Sequence, residues 1–272
     1  MQALNDDDQT AIAECLALDD AKQWIDAVVE LKLLKNQPKY VSMEALTFLG
    51  FANRCSRLST VRQLVAAGAT ISAFDSEGCR PLHRACQSKV NALEKVQFLL
   101  ERDASLIDAR DYFNNTPLYS AVIAGNDDVI NTLIQHGAVV NEPGQFGRTP
   151  LHKACELGIK SCIHVLMTLG ADVDVRDARL QVTPVYLAAA GNHRDCMTLL
   201  LETYGASINS ADDDGNTALH MAALNGHADA ITTLASYEQC VLNKVNKRSK
   251  TALHLASEQA HVAAVHLRWQ AG

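Results

Sequence analysis

Aromatic residues are scarce, at 5% of the 272 residues. A core short of large rings has to be built from small aliphatic side chains, as in stacked helices. A basic excess is also missing: 24 Lys and Arg against 31 Asp and Glu leave a formal charge of −7. Nucleic acid and anionic membranes both require a positive field, so the chain as a whole fits neither, although a local basic patch remains allowed. No apolar run approaches the ~18 uninterrupted residues of a spanning helix, so no membrane insertion is expected. The start, Met1 to Asp8, is polar and acidic and lacks the basic-then-apolar layout of a secretory signal. No CxxC pair occurs; the eight cysteines stand alone at 15, 55, 79, 86, 155, 162, 196 and 240. They read as reduced thiols of an intracellular protein, several of them behaving as small core hydrophobes.

What is present is a folded composition, 48% hydrophobic and 20% charged, which excludes global disorder. It is organised by a repeat. One tetrapeptide pattern recurs as Arg80-Pro81-Leu82-His83, Thr116-Pro117-Leu118-Tyr119, Thr149-Pro150-Leu151-His152, Thr183-Pro184-Val185-Tyr186, Thr217-Ala218-Leu219-His220 and Thr251-Ala252-Leu253-His254, preceded by a degenerate Thr47-Phe48-Leu49-Gly50. The first positions are spaced by 33, 36, 33, 34, 34 and 34 residues. An alanine follows five residues after each, at 52, 85, 121, 154, 188, 222 and 256. Gly-Ala pairs close several units, at Gly68, Gly137, Gly170 and Gly205, with Asp103-Ala104 in one unit. Turn-forming stretches such as Asp75 to Gly78, Gln145 to Gly147 and Asp212 to Gly215 precede the motif.

Each block has readable physics. Proline is tolerated in the first turn of a helix, where its missing N–H would be unpaired anyway, and the preceding threonine can cap that helix. The pattern predicts a first helix from Pro150 to Glu156, a break at Gly158, and a second helix from Lys160 to Leu169. Ile163, Leu166 and Met167 share one face of the second helix. Gly170 suits a left-handed C-terminal cap. One such helical pair cannot bury its own apolar face, so units must stack.

With this motif and period the chain resembles the ankyrin-repeat family over residues 42 to 272. The departures are local: Arg80 for threonine, Tyr119, Tyr186 and Gly50 for histidine, and extra residues near Lys89–Leu93, Ser105 and Arg179–Gln181. They are expected to weaken individual turns without altering the fold. The resemblance implies an all-α solenoid of about seven helix-turn-helix repeats, with projecting β-turn or hairpin loops, over residues 47–272. An N-terminal helical cap over 1–46 is expected from Trp24, Ile25, Val28, Leu31, Leu33 and Leu34, with a separate binding segment as the alternative. The last helix carries a polar face of His261, His266, Arg268 and Gln270 that suits a terminal cap, although an array continuing beyond Gly272 is also consistent.

His83, His152, His220 and His254 occupy the slot that resembles the family's structural histidine, which ties neighbouring turns together. His193, His227 and His261 form a second ladder. Residues one repeat apart stand roughly 10 Å from each other, too far for one zinc with bonds near ~2 Å, so no metal or other cofactor is expected. His193-Arg194-Asp195 spells a kinase tripeptide without the remaining kinase motifs, and no phosphate-binding glycine loop or nucleophile elbow occurs. Cys155, three residues after His152, reads as core packing. Thr116, Thr149 and Thr183 before proline read as helix starts rather than phosphosites, and the Asn114 sequon is silent inside a cell.

Function is therefore expected on exposed positions that do not repeat, and no catalysis is expected. The turn tips carry Tyr112, Phe113, Gln145, Phe146, Arg179 and Leu180, where large apolar groups suit interface anchors or fold back on the neighbouring turn. The outward side of the first helices adds Ile123, Glu156, Leu157 and Leu224, with Gln87, Glu258 and Gln259. Acidic Asp212–Asp214 adjoins basic Lys244, Lys247, Arg248 and Lys250, a pairing that suits a solvated face or the steering of a charged partner. The family resemblance implies a scaffold or adaptor, a monomer, docking a protein or peptide in a preformed concave groove and on the loop tips. It implies no nucleic-acid partner and an intracellular, first of all cytoplasmic, location with the nucleus left open. The second reading is the targeting part of a larger enzyme or of a secreted bacterial effector acting in the host cytoplasm.

Overall fold

The motif proline determines where helices begin. In the computed structural model, which describes residues 49–50, 52–54, 57–66, 69–261 and 265, helices start at Pro81, Pro117, Pro150 and Pro184, and at Ala218 and Ala252 where alanine replaces the proline. The expected N-terminal cap, the Thr47-Phe48 start of the degenerate motif, Cys15, Cys55, Gly68 and the terminal His266, Arg268 and Gln270 lie outside the described residues.

The chain divides into two compact units, residues up to Ala124 with Gln135–Ala138, and Gly125–Ile134 with residues from Val139 on. In the first unit, helical residues 49–50 and 52–54 are followed by α1 (Leu58–Ala66), α2 (Pro81–Cys86), α3 (Ala92–Arg102), a 3-10 turn (Ala104–Asp108) and α4 (Pro117–Ala124). Helix α2 packs against both α3 and α4. Its buried residues run without a break from Pro81 to Cys86, because a short first helix is enclosed on several sides at once.

The second unit takes most of α5 (Asp127–Gln135). It continues with α6 (Pro150–Leu157), α7 (Lys160–Thr168), α8 (Pro184–Ala190), α9 (Arg194–Thr198), α10 (Ala218–Leu224), α11 (Ala228–Ala235) and α12 (Ala252–Glu258). First helices α6, α8, α10 and α12 pack side by side, and each of α6, α8 and α10 also packs on the second helix of its own repeat. The ends of α6 and α7 fall within one residue of those read from the sequence. Among the described residues the secondary structure is helical apart from turns and one antiparallel bridge, Ala211 to Thr217. The chain is an all-α ankyrin-type repeat array.

The segment from Cys196 to Gly205 is one residue longer than its counterpart from Cys162 to Gly170. The helix absorbs the extra residue by running on from α9 as a π-helical turn, Leu199–Thr203. A single insertion is commonly accommodated this way because it widens one turn and leaves the rest of the ladder in register.

Candidate functional site

Two polar ladders rigidify the repeats, and the exposed residues are what they leave over. In the first ladder the motif histidine serves two repeats. The Nδ1 of His152 accepts from the Thr149 backbone N–H (3.1 Å), and its Nε2 faces the Val182 carbonyl (3.0 Å). Only the Nε2–H tautomer satisfies both. His83 does the same between Arg80 and Asn115, and His220 between Thr217 and Lys250. Burial pushes all three imidazoles below the ordinary histidine range, so they are neutral. The threonine is a less regular cap than its position suggests. At Thr149 and Thr217 the hydroxyl sits on the histidine Nδ1, at 3.0 and 2.9 Å.

Where tyrosine replaces histidine the bridge changes chemistry. The Tyr186 hydroxyl donates to Asp212 Oδ2 (2.7 Å), which carries the tie to the next turn through a carboxylate. The expected weakening at Tyr186 is thus compensated. At this motif the buried Thr183 Oγ1 has no hydrogen-bond partner, whereas Thr116 Oγ1, also before a tyrosine motif, accepts from the Tyr119 N–H (3.3 Å).

The second ladder runs the other way. His193, His227 and His261 each direct Nε2 at the last-turn carbonyl of the preceding first helix: Glu156 (3.0 Å), Ala190 (3.0 Å) and Leu224 (2.9 Å). The imidazole of His193 lies so close to Gly158 that a Cβ there would stand 2.4 Å from Nδ1. In the first unit a fully buried lysine makes a comparable reach. Lys95 Nζ donates to the Asn53 carbonyl (3.0 Å) and to Ser88 Oγ (2.9 Å).

The turns have their own rule, which the sequence showed only as polar residues. Asp75, Asp111, Asp177 and Asp212, and Asn246 in the last turn, each use one side-chain oxygen to accept two backbone N–H groups of their own turn. Gly144 stands in this slot in one turn and has nothing to accept with. Neighbouring tips also bond through the backbone: Tyr112 N–H to Glu77, Ala178 to Phe146, Asp213 to Leu180 and Lys247 to Asp214.

The expected site residues are distributed as follows. In the first unit Tyr112 is 66% exposed, yet its ring packs on Gly78 and meets Phe74 edge-on at 5.9 Å. The exposed Phe74 was missed from the sequence, although a phenylalanine directly before a turn aspartate is a readable signal. Phe113 is also exposed, and Ile123 is exposed on α4. In the second unit the Arg179 guanidinium lies over the Phe146 ring at 4.8 Å, with Leu180 exposed beside it. Gln145 is half-buried next to Phe146, and Leu157 is exposed at the end of α6.

Two of the expected residues are held within the frame. Glu156 bonds Arg148 and Lys153, both at 2.8 Å. Burial raises its carboxyl, but Lys153 and Arg148 outweigh that and hold it below the usual carboxylate range. Leu224 is half-buried and lends its carbonyl to His261. Arg148 reaches on to the buried Asp177 (3.3 Å).

Among the described residues no group of three or more His, Cys, Asp or Glu stands close enough to hold a metal ion, and no helix is long and apolar enough to cross a membrane. The described cysteines, 79, 86, 155, 162, 196 and 240, are free and buried. Burial raises their thiols, to about 12 at Cys79 and Cys162 and about 11 at Cys196 and Cys240. Thiolate nucleophiles are therefore scarce at neutral pH.

Comparison with known proteins agrees with this architecture. Residues 103–177 and 185–267, more than half of the chain, match the family model described as ankyrin repeats in three copies. The chain is 32% identical over 129 residues, 47% of its length, to the human transient receptor potential cation channel subfamily A member 1, covering 11% of that protein. It is 29% identical over 143 residues, 51% of its length, to the mouse B-cell lymphoma 3 protein homolog, covering 32% of it. It is 33% identical over 146 residues, 53% of its length, to a probable 26S proteasome regulatory subunit p28 of Saccharomyces cerevisiae, covering 63% of it. The matches therefore span from a small part to under two thirds of the length of these relatives. With motif, period, helix starts and inter-repeat histidine ties all in place, the chain belongs to the ankyrin-repeat family.

Proposed function

We propose that the chain is a non-enzymatic protein-interaction module, a scaffold or adaptor that docks a protein or peptide on its turn tips and on the outward sides of its first helices. The observation that carries this reading is how the polar groups are used. The buried histidines, the turn aspartates and Glu156 are bound into ties that hold the repeats together. The large apolar groups Tyr112, Phe113, Phe146 and Leu180 stand exposed on rigid turns. Rigid presentation lowers the ordering cost of association, and aromatic anchors supply most of the binding energy in such contacts. The partner is a protein or peptide rather than nucleic acid, in line with the −7 charge, and the module acts as a monomer inside the cell.

The test is a pull-down with the intact chain and with Tyr112, Phe113 and Phe146 changed together to alanine. Loss of the partner supports docking at the tips; unchanged capture removes these residues from the interface. The second reading, a targeting part of a larger enzyme or bacterial effector, draws on the likeness to the Danio rerio putative palmitoyltransferase ZDHHC13, 28% identical over 174 residues that cover 26% of that protein. It predicts the same interface on a longer polypeptide.

A further inference from the structure

Phe146 is out of place by any local rule. Its φ is +61°, and it is followed by Gly147 at +74°. Two successive left-handed residues suit Asn-Gly or Gly-Gly turns, and a bulky side chain there is a genuine outlier. The turn also lacks the aspartate that braces the others, because Gly144 occupies that slot. Strain of this kind persists where the surrounding structure enforces it, and it concentrates at functional positions. The result is a ring that is 47% exposed and capped by the Arg179 guanidinium at 4.8 Å.

Arg179 is the second unusual feature. The neighbouring arginines are committed: Arg148 to Glu156 and Asp177, Arg176 to the Gln181 and Ala211 carbonyls. Arg179 is exposed and has no hydrogen bond or ion pair among the described residues, only the aromatic face beneath it. A guanidinium held over a ring face without a hydrogen-bond partner keeps its N–H groups available, and their fork matches a carboxylate bidentately. Leu180, 46% exposed, supplies an apolar wall next to it. The next tip is of opposite sign, with Asp213 and Asp214 both exposed and Asp213 N–H bonded to the Leu180 carbonyl at 3.0 Å.

We propose that Phe146, Arg179 and Leu180 form the anchor of the docking surface, and that its occupant is an acidic protein segment placing a carboxylate on the Arg179 edge and an adjacent apolar side chain against Phe146 and Leu180. The segment carries a base further along, over Asp213 and Asp214. Repeated turns stand roughly 10 Å apart when each contributes two chain segments at ~4.8 Å, so an extended segment rising ~3.3 Å per residue meets the acidic tip about three residues after its carboxylate. This assignment rests on the interaction-module reading above and adds the chemistry of the partner.

The experiment is a selection from a random dodecapeptide display library on the intact chain, followed by affinity measurements on synthetic copies of the enriched peptides. Enriched sequences carry Asp or Glu beside an apolar residue, with Lys or Arg about three positions on. Arg179→Ala weakens them about tenfold or more, the scale of a charged hydrogen-bonded pair. Phe146→Gly weakens them comparably without lowering the melting temperature, because glycine accepts a positive φ. Arg179→Glu binds the peptide whose acid is changed to Lys. Enriched peptides without an acid, or affinities for Arg179→Ala within about twofold of the unsubstituted chain, overturn the assignment and leave the module reading standing. A chain that selects no peptide and captures no protein counts against both.

Discussion

Replacing His152 by alanine tests the inter-repeat ties most sharply. The side chain is fully buried, as are Thr149 and Val182, the residues it connects. Truncation strands the Thr149 N–H away from water and removes one of the two donors on the Val182 carbonyl, which keeps the Asp177 N–H at 3.0 Å. The unsatisfied buried N–H costs about 1–3 kcal/mol, and the cavity left by the ring adds to that, for a total of about 2–4 kcal/mol. Such a loss is a large part of the ~5–15 kcal/mol that usually holds a domain together. The control is His254→Ala. It fills the same motif slot and binds Thr251 in the same way (2.8 and 3.3 Å), yet it is exposed. Losing its cap-like bond costs only about 1 kcal/mol or less. Urea unfolding followed by far-UV circular dichroism, with midpoint and slope fitted for both variants, makes the comparison. Equal losses, or a loss below ~1 kcal/mol at His152, would refute the claim that the motif histidine works by bridging two repeats.

Three further outcomes follow from the same contacts. The unfolded chain titrates its histidines near ~6.5, whereas His83, His152 and His220 lie lower when folded. The unfolded state therefore takes up protons first on acidification, so their stabilisation is complete above pH ~6.5 and falls below it, with a limiting slope of about 4 kcal/mol per pH unit from three groups. Urea midpoints that hold steady or rise from pH 7 to pH 5 would contradict this. Thr183→Val, which removes a buried hydroxyl without a partner, leaves stability within about 0.5 kcal/mol or raises it, whereas Thr149→Val costs about 1 kcal/mol; thermal melts of the two variants decide. Gly158→Ala drives a methyl into the His193 ring and exceeds the penalty of Gly170→Ala, where nothing lies within 4 Å and only the φ of +93° opposes the change, worth about 1–2 kcal/mol. Similar losses at both glycines would show that the His193 ring does not hold its place.

The frame of this protein was legible because it repeats. A threonine, a proline and a histidine at fixed offsets define a helix start wherever they occur, and a 34-residue period multiplies the signal. The tips were legible as exposed for the same reason: they are what the period does not reproduce. What the sequence concealed depends on tertiary placement. Lys95 in an amphipathic helix reads as solvated, and only the approach of Asn53 and Ser88 makes it a buried donor. Glu156 reads as an outward charge, because the arginine that captures it lies eight residues earlier in a turn that also reaches Asp177. The extra residue before Gly205 could be counted but not shaped, since a loop and a π-turn absorb it equally well on paper. Phe146 looked like one large apolar tip residue among four. Its left-handed backbone and its stacked arginine had no local sequence signal except the missing aspartate at Gly144.

Amide hydrogen exchange on the intact chain, alone and saturated with a selected peptide, measures where recognition takes place. Slowed exchange confined to the tips around residues 145–147, 178–181 and 212–215 and to the adjoining ends of α6, α8 and α10 is the result expected. Protection centred on the second helices, at 160–168, 194–203 and 228–235, with the tips unchanged, would contradict the view that the repeats serve as a frame for those outward side chains.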